Sequence, residues 1–131
     1  MSNSLIQKNR LKAIVVDDEE DSCESICQSL EVSGVNVIGK GFDGEQAYQL
    51  YKTLIPDVVI LDMNMPNYDG AYALEKIKQD FPEAKIIVVT AFTDYTFEKE
   101  KADAVILKPY DLEPFIETIE KIASLKTPLV K

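Results

Sequence analysis

The sequence predicts an α/β fold in which a five-stranded parallel sheet is covered by helices on both faces, a doubly wound arrangement. Short apolar runs, mostly β-branched, recur along the chain, and such runs are typical of strands buried on both faces. Amphipathic segments of helical length separate these runs, and strands that alternate with helices form parallel sheets. The length of 131 residues suits one domain with one core.

Five strands are predicted from the apolar runs. Four of the runs are strong, and they cover residues 13–16, 58–61, 86–89 and 104–107. A weaker run at 35–38, which is second in chain order, indicates a strand nearer the edge of the sheet.

Helices are predicted between these strands. The first runs from about residue 20 to residue 32, and Gly34 is placed to end it. The second opens at Asp43, where Gln46 three residues later indicates a capping box. The third begins near Gly70, and the last is capped by Asp111.

The segment between the fourth and fifth strands departs from this regularity. At most about two helical turns fit there, over residues 94–102, so the fourth helix is expected to be short or irregular. The domain itself is expected to span residues 12–125. Residues 1–11 are interpreted as a flexible N-terminus, and residues 126–131 as a C-terminal tail or the start of a linker.

The acidic composition limits the classes of partner. The net charge is -9, with 14 basic residues against 23 acidic ones, and nucleic-acid binding needs clustered Lys and Arg. No run approaches the roughly 18 apolar residues of a membrane span, and residues 1–12 lack the apolar stretch of a signal peptide. We therefore expect no direct nucleic-acid binding, no membrane association and a cytoplasmic location. A divalent cation is a more natural ligand for such a chain.

Two cysteines and the absence of histidine narrow the chemistry further. Cys23 and Cys27 share a helical spacing with Ile26 and Leu30, which predicts that both thiols lie on the buried face of the first helix. The chain has no histidine, so Ser-His-Asp and Cys-His catalysis are excluded. For the same reason the chain cannot provide its own phosphohistidine.

Polar residues follow four of the predicted strands at the point where each strand ends. Asp17 and Asp18 follow the first strand, Asp62 the third, Thr90 the fourth, and Lys108 the fifth. In a doubly wound parallel sheet these points share one edge, where such folds bind ligands. One strand-end Asp is usually a helix cap or turn residue, but the ordered combination is more specific.

Three carboxylates at one edge repel each other, so either protonation or a cation must relieve the repulsion. Magnesium suits this role because it prefers carboxylate oxygens, water and phosphate oxygens. A carboxylate such as Asp62 is also a nucleophile towards phosphorus. Lys108 would then stabilise the charge on a transferring phosphoryl group.

The chain resembles the receiver domain family of two-component signalling over about residues 11–125. The matching stretches cover residues 14–19, 43–47, 56–66, 69–70, 87–91 and 107–110. The resemblance implies the flavodoxin-like strand order 2-1-3-4-5. It also implies that Asp62 is the phosphoacceptor and a ligand of Mg²⁺. Asp18 would bind the metal directly with help from Asp17, and Asn64 would offer its backbone carbonyl.

The resemblance further implies a role for the groups that follow the fourth and fifth strands. Thr90 would bond the phosphoryl group, Lys108 would pair with it, and the Lys108–Pro109 peptide is expected to be cis. The phosphoryl donor would be a histidine kinase or a histidine phosphotransfer protein that docks near the first helix. The domain would catalyse its own phosphorylation and also its own dephosphorylation, which would be slow. It would not act as an enzyme on other substrates.

Three departures from the family concern the conformational change that would transmit phosphorylation from the site to the output face. The stretch from Thr90 to Lys108 is about one helical turn shorter than usual, a usual Gly is replaced by Lys101, and a usual aromatic is replaced by Val105. We expect the output face to be built differently. The candidate substitute reporters are aromatic: Tyr95, Phe97 and Tyr110. Phe92 is expected to hinder water attack on the acyl phosphate and so to slow its hydrolysis.

Three alternatives remain open. A magnesium-dependent phosphohydrolase with an aspartyl intermediate usually has a second acid two residues after the nucleophile, where this chain has Asn64. A flavin-binding electron carrier of similar topology needs a phosphate-binding loop after the first strand, and the acids from Asp17 onwards would repel phosphate. A degenerate receiver used only for docking would normally lack a key residue, and this chain has them all.

Overall fold

The computed structural model describes residues 10–63, 69–91 and 101–124. Nine elements lie in these ranges, and strands and helices alternate except where β5 follows β4. They are β1 (Lys12–Val16), α1 (Glu20–Val32), β2 (Asn36–Gly41), α2 (Gly44–Leu54), β3 (Val58–Asp62), α3 (Asp69–Asp80), β4 (Ile86–Thr90), β5 (Ala104–Leu107) and α4 (Leu112–Ser124). Within the described ranges, no helix is long and apolar enough to cross a membrane.

The strands form one five-stranded parallel sheet in the order β2-β1-β3-β4-β5, which confirms the predicted fold class. The interior strands are almost wholly buried, because helices cover both faces of the sheet. The edge strands β2 and β5 are mostly half-exposed. Burial therefore falls from the middle of the sheet towards its two edges.

Alternate residues of each strand contribute to two hydrophobic layers. Ala13 and Val15 of β1 face the layer that contains α1 and α4, whereas Ile14 and Val16 face the layer that contains α2 and α3. The predicted burial of both thiols is confirmed, since Cys23 and Cys27 lie in the first of these layers. This two-sided core leaves the carboxyl ends of the strands together at one edge.

The helix ends follow local signals in the sequence. Gly34 has a positive φ of 96°, a conformation that glycine adopts readily, and the N–H of Val35 donates to the carbonyl of Leu30 to close α1. At the start of α2, Asp43 Oδ1 accepts a 2.7 Å hydrogen bond from the N–H of Gln46. Gln46 Oε1 accepts from the N–H of Phe42, one residue earlier than in the usual capping box.

The second strand differs from its predicted bounds. We predicted residues 35–38, whereas β2 spans Asn36–Gly41. Its second half was missed because the glycines at 39 and 41 weaken a strand pattern. These glycines lie beneath α2: a Cβ built at Gly39 would come within 3.0 Å of Leu54 Cδ1, and one at Gly41 within 3.1 Å of Leu50 Cδ1. The missing side chains allow the helix to approach the sheet closely.

Several predicted features lie outside the described residues. The segment 92–100 contains most of the predicted fourth helix, together with Phe92, Tyr95 and Phe97. Asn64 also lies outside the described ranges.

Candidate functional site

The carboxyl edge of the sheet brings the predicted acidic residues together. Asp17 directly follows β1, and its N–H donates to the carbonyl of Gly41 at 3.0 Å, while Asp62 is the last residue of β3. Parallel pairing places Val16 opposite Leu61, so the two acids leave the sheet at the same level. Carboxylate oxygens of Asp17, Asp18 and Asp62 lie within 4.8 Å of one another.

The three acids differ in their access to solvent. Asp17 is 1% exposed and Asp62 5% exposed, whereas Asp18 is exposed. Two buried carboxylates and a third beside them raise the electrostatic free energy of the site, because surrounding protein screens their repulsion less than water does. A cation at their centre would lower that free energy.

Asp17 shows an unsatisfied oxygen that fits this interpretation. Its Oδ1 accepts a 3.0 Å hydrogen bond from the N–H of Glu19, which fixes the orientation of the carboxylate. Its Oδ2 is buried and has no hydrogen-bond partner among residues 10–63, 69–91 and 101–124. A buried oxygen of this kind is costly unless it meets a donor or a cation. Carboxylate oxygens are the ligands that Mg²⁺ prefers, so the donor set fits that metal.

Lys108 approaches the acids from the β5 side of the same edge of the sheet. Its N–H donates to the carbonyl of Thr90 at 2.8 Å, which extends the pairing of β5 with β4 beyond the last strand residue. Its Nζ lies 3.4 Å from Asp62 Oδ1. The Lys108–Pro109 peptide bond is cis, as the resemblance implied.

Thr90 and Val105 occupy the sheet beside this contact. Thr90 is buried at the end of β4, opposite Leu107 of β5. Val105 is half-buried and packs against the hydrophobic layer of α2 and α3, where Ala102 packs with it. Lys101, which replaces the usual glycine, forms a 3.2 Å ion pair with Glu75 of α3.

An open groove adjoins the site, and we did not predict it from the sequence. Its volume is about 600 Å³, and its lining includes Ser22, Ser25, Ala91, Lys108 and Tyr110. The two serines lie three residues apart on α1, so their helical spacing was the one available signal. The groove connects the outer face of α1 with the loop that carries the lysine.

Tyr110 lines this groove and packs against α4. Its ring centroid lies 4.6 Å from that of Phe115 on α4. Burial raises the pKa of the Tyr110 phenol, and the negative charge of Asp17 raises it further. The phenol therefore stays protonated near the acidic cluster and can donate a hydrogen bond.

Comparison with known proteins identifies the family. The family model described as "Response regulator receiver domain" matches residues 13–120, which is most of the chain. The chain therefore belongs to the response regulator receiver domains, which are signalling domains of two-component systems. Receiver domains bind Mg²⁺ at an acidic cluster, and in this chain Asp17, Asp18 and Asp62 form a cluster of acids.

Individual relatives agree with this assignment. The chain is 31% identical over 116 residues to the chemotaxis protein CheY of Thermotoga maritima, covering 86% of this chain and 97% of that protein. It is 28% identical over 126 residues to the transcriptional regulatory protein DegU of Brevibacillus brevis. That match covers 92% of this chain but 53% of DegU, so this chain spans about half the length of that relative.

A solved structure that contains Mg²⁺-BeF has the same fold. The response regulator protein TrrA of Thermotoga maritima, in complex with Mg²⁺-BeF, superposes with a TM-score of 0.79 at 28% identity. The match covers 86% of this chain and 98% of the TrrA chain.

Proposed function

We propose that this protein is a phosphorylation-controlled switch that accepts a phosphoryl group on Asp62. One observation carries the proposal: the Asp62 carboxylate lies between two further acids and the Lys108 ammonium. The acids are within 4.8 Å of one another, and Lys108 Nζ is 3.4 Å from Asp62 Oδ1. This arrangement holds a nucleophile, a set of oxygen ligands for a cation and a fixed positive charge at one point.

Each residue has a distinct role in the proposed transfer. An oxygen of Asp62 attacks phosphorus, the P–N bond of a phosphohistidine breaks, and the electron pair returns to the imidazole nitrogen of the donor. Lys108 pairs with a phosphoryl oxygen as charge develops there, and the Thr90 hydroxyl donates a hydrogen bond to another.

The metal would be held by Asp17, Asp18, Asp62 and the backbone carbonyl of Asn64. Bound Mg²⁺ would neutralise the carboxylates and the phosphoryl oxygens together. Asp17 supplies the buried Oδ2 that has no hydrogen-bond partner in the described ranges. The hydrogen bond from the N–H of Glu19 to Oδ1 of the same carboxylate holds its orientation.

The proposed phosphoryl donor is a histidine kinase or a histidine phosphotransfer protein. These 131 residues include no histidine, so the phosphohistidine lies outside them. The groove beside Lys108 and α1 leaves that side of the site open to such a partner. The net charge of -9 favours a protein over nucleic acid as the direct partner, and we propose a cytoplasmic location.

Incubation with a small phosphodonor and Mg²⁺, followed by intact mass measurement, tests the central proposal. The wild type should gain one phosphoryl group, and Asp62→Asn should gain none. Asp57→Asn is the matched control, because Asp57 lies just before the opposite end of the same strand and binds the N–H of Lys12 at 2.8 Å. It should gain the group as the wild type does.

Absence of a gain in the wild type, or an equal gain in Asp62→Asn, would contradict the proposal. A wild type that binds a kinase without ever gaining mass would instead support a receiver used only for docking.

A further inference from the structure

The strand that carries Lys108 has less support than its neighbours. β5 has four residues, lies at the edge of the sheet with β4 beside it, and has no buried residue among Ala104–Leu107. Lys108 follows directly, and its N–H donates a backbone hydrogen bond to the carbonyl of Thr90, the last residue of β4. The position of the lysine therefore depends on how β5 is held against β4.

Asp103 fastens the beginning of β5. Its N–H donates to the carbonyl oxygen of Ile86 at 2.8 Å, and its Oδ2 accepts from the N–H of Ile86 at 2.7 Å. One residue thus binds both backbone polar groups at the start of β4. The register that follows runs from Ala104, opposite Ile87, to the end of the strand.

Lys78 of α3 holds the carboxylate of Asp103 in this orientation. Its Nζ donates to Asp103 Oδ2 at 2.9 Å and to the carbonyl oxygen of Ala84 at 2.6 Å. The two side chains are 18% and 22% exposed, so water screens this pair less than it screens a fully exposed one. The contacts join α3, the start of β4 and the start of β5.

We propose that Asp103 is a positioning residue for Lys108. It sets the register of β5 on β4, and that register sets the 3.4 Å distance between Lys108 Nζ and Asp62 Oδ1. A slip of one residue moves a strand by about 3.3 Å and turns each side chain to the opposite face, so the lysine would leave the site. This inference rests on the proposed function, in which Lys108 pairs with a phosphoryl group.

The acids of the site do not depend on β5. Asp17 and Asp18 follow β1, and Asp62 ends β3, and both strands lie inside the sheet with buried side chains. Loss of Asp103 should therefore separate two properties. Binding of Mg²⁺ to the acids should persist, while binding of a phosphoryl analogue should weaken.

Glu31 provides a matched control at the opposite edge of the sheet. Its Oε2 accepts from the N–H of Val37 in β2 at 2.9 Å, and its Oε1 pairs with Arg10 Nη2 at 2.9 Å. Like Asp103, it binds a backbone N–H of a strand and the cation of a basic side chain. Glu31→Ala removes such a clamp from an edge strand that carries none of the proposed site.

Calorimetric titration of the whole chain with Mg²⁺, and then with beryllium fluoride at saturating Mg²⁺, tests the proposal. The Mg²⁺ affinities of Asp103→Ala and Lys78→Met should not fall below that of wild type by more than about twofold, as expected for distant sites, and that of Glu31→Ala should match wild type. Beryllium fluoride affinity and the phosphorylation rate should fall about tenfold or more in Asp103→Ala, since a displacement of about 1 Å can cost a hundredfold.

Two further variants sharpen the test. Asp103→Asn keeps an oxygen for the N–H of Ile86 but loses the charge that attracts Lys78, so its beryllium fluoride affinity should be intermediate. In a Lys108→Ala background, Asp103→Ala should cause no further loss, because both substitutions remove the same contact. Glu31→Ala should bind beryllium fluoride as the wild type does.

Several outcomes would overturn the inference. The first is a wild-type affinity for beryllium fluoride in folded Asp103→Ala and Lys78→Met. The second is an equal loss of Mg²⁺ and beryllium fluoride affinity in these variants. The third is that Asp103→Ala lowers beryllium fluoride affinity in the Lys108→Ala background as much as it does in the wild type. If Asp103→Ala does not fold, Asp103→Asn and Lys78→Met carry the same comparison. A wild type that binds no beryllium fluoride with Mg²⁺ defeats the proposed function itself, and the inference falls with it.

Discussion

The two sides of the proposed site are built on strands that differ in burial. β1 and β3, which lead to the acids, lie inside the sheet, and every residue of β3 is buried. β5, which leads to Lys108, is an edge strand whose four residues are half-exposed or exposed. The acids therefore belong to the part of the fold with the most buried apolar surface, and the lysine belongs to the part with less.

This difference has a consequence for how the site responds to a ligand. Strands with little buried surface open and shift at a lower free-energy cost than strands in the core. The acids that follow β1 and end β3 are thus held on buried strands, while β5 is the side that moves at the lower cost. The contacts of Asp103 hold the start of β5 on β4, and the hydrogen bond from the N–H of Lys108 to the carbonyl of Thr90 holds its other end.

The largest expected effect comes from deleting matched isoleucines on the two strands. Ile60 of β3 is 1% exposed, whereas Ile106 of β5 is half-buried against the same hydrophobic layer. Ile60→Ala should lower the free energy of unfolding by about 3–4 kcal/mol, and Ile106→Ala by about 1–2 kcal/mol, because the second leaves a smaller cavity. Urea denaturation measures both values, and equal losses would contradict the comparison.

Metal binding should stabilise the interior half of the site. At a concentration about 100 times its dissociation constant, Mg²⁺ should raise the free energy of unfolding of the wild type by about 2.7 kcal/mol. Asp17→Asn should lose most of this gain. Without metal it should be about 1–2 kcal/mol more stable than wild type, since one of three clustered charges is gone.

Urea denaturation with and without Mg²⁺ measures these changes, with Asp57→Asn as the control that keeps the full gain. An undiminished Mg²⁺ gain in Asp17→Asn would show that the ion binds elsewhere.

The same contrast explains how much of the molecule the sequence predicts. The interior strands are recognisable because burial on both faces demands continuous apolar residues, as at 58–61 and 86–89. The clustering of Asp17, Asp18 and Asp62 then follows from the parallel topology. It can be predicted once one knows that the acids follow the carboxyl ends of their strands. The resemblance added the assignment of their roles.

The edges of the sheet are harder to predict, because their contacts depend on distant residues. The end of β2 has glycines in place of apolar residues, and their reason is the approach of Leu50 and Leu54 from α2. The contacts that hold the start of β5 join Asp103 to Lys78, which is 25 residues away, and no local pattern identifies that pair. The groove beside α1 likewise combines residues from three parts of the chain.

Alkaline pH provides a smaller test of the tightly packed half, where α1 covers β1. Burial, with the charge of Cys27 as the next cause, raises the pKa of Cys23 from 9.0 to about 12. The folded protein keeps this thiol protonated where the unfolded chain ionises. Its contribution to stability is therefore complete below pH 9 and is lost as the pH rises towards 12.

For Cys23 alone the loss between pH 9 and about pH 10 should be about 1 kcal/mol. Urea denaturation of wild type and Cys23→Ala across this range isolates the effect as a difference in slope. Identical slopes would mean that the thiol ionises in the folded state as readily as in the unfolded chain.

The smallest predicted effect concerns the balance between Lys108 and the metal. The Lys108 ammonium, 3.4 Å from Asp62 Oδ1, competes with a cation for the same carboxylate. Its side chain is 31% exposed and extends from an edge strand, so water screens the repulsion between it and Mg²⁺.

Lys108→Met should therefore raise Mg²⁺ affinity by about threefold, which corresponds to less than about 1 kcal/mol. The same variant should weaken beryllium fluoride binding, whereas Lys40→Met, which removes an exposed lysine from the other edge strand, should change neither affinity. Calorimetry measures both affinities. A lower Mg²⁺ affinity in Lys108→Met would mean that the lysine holds the acids in place, and the division into a fixed acidic half and an adjustable lysine half would be wrong.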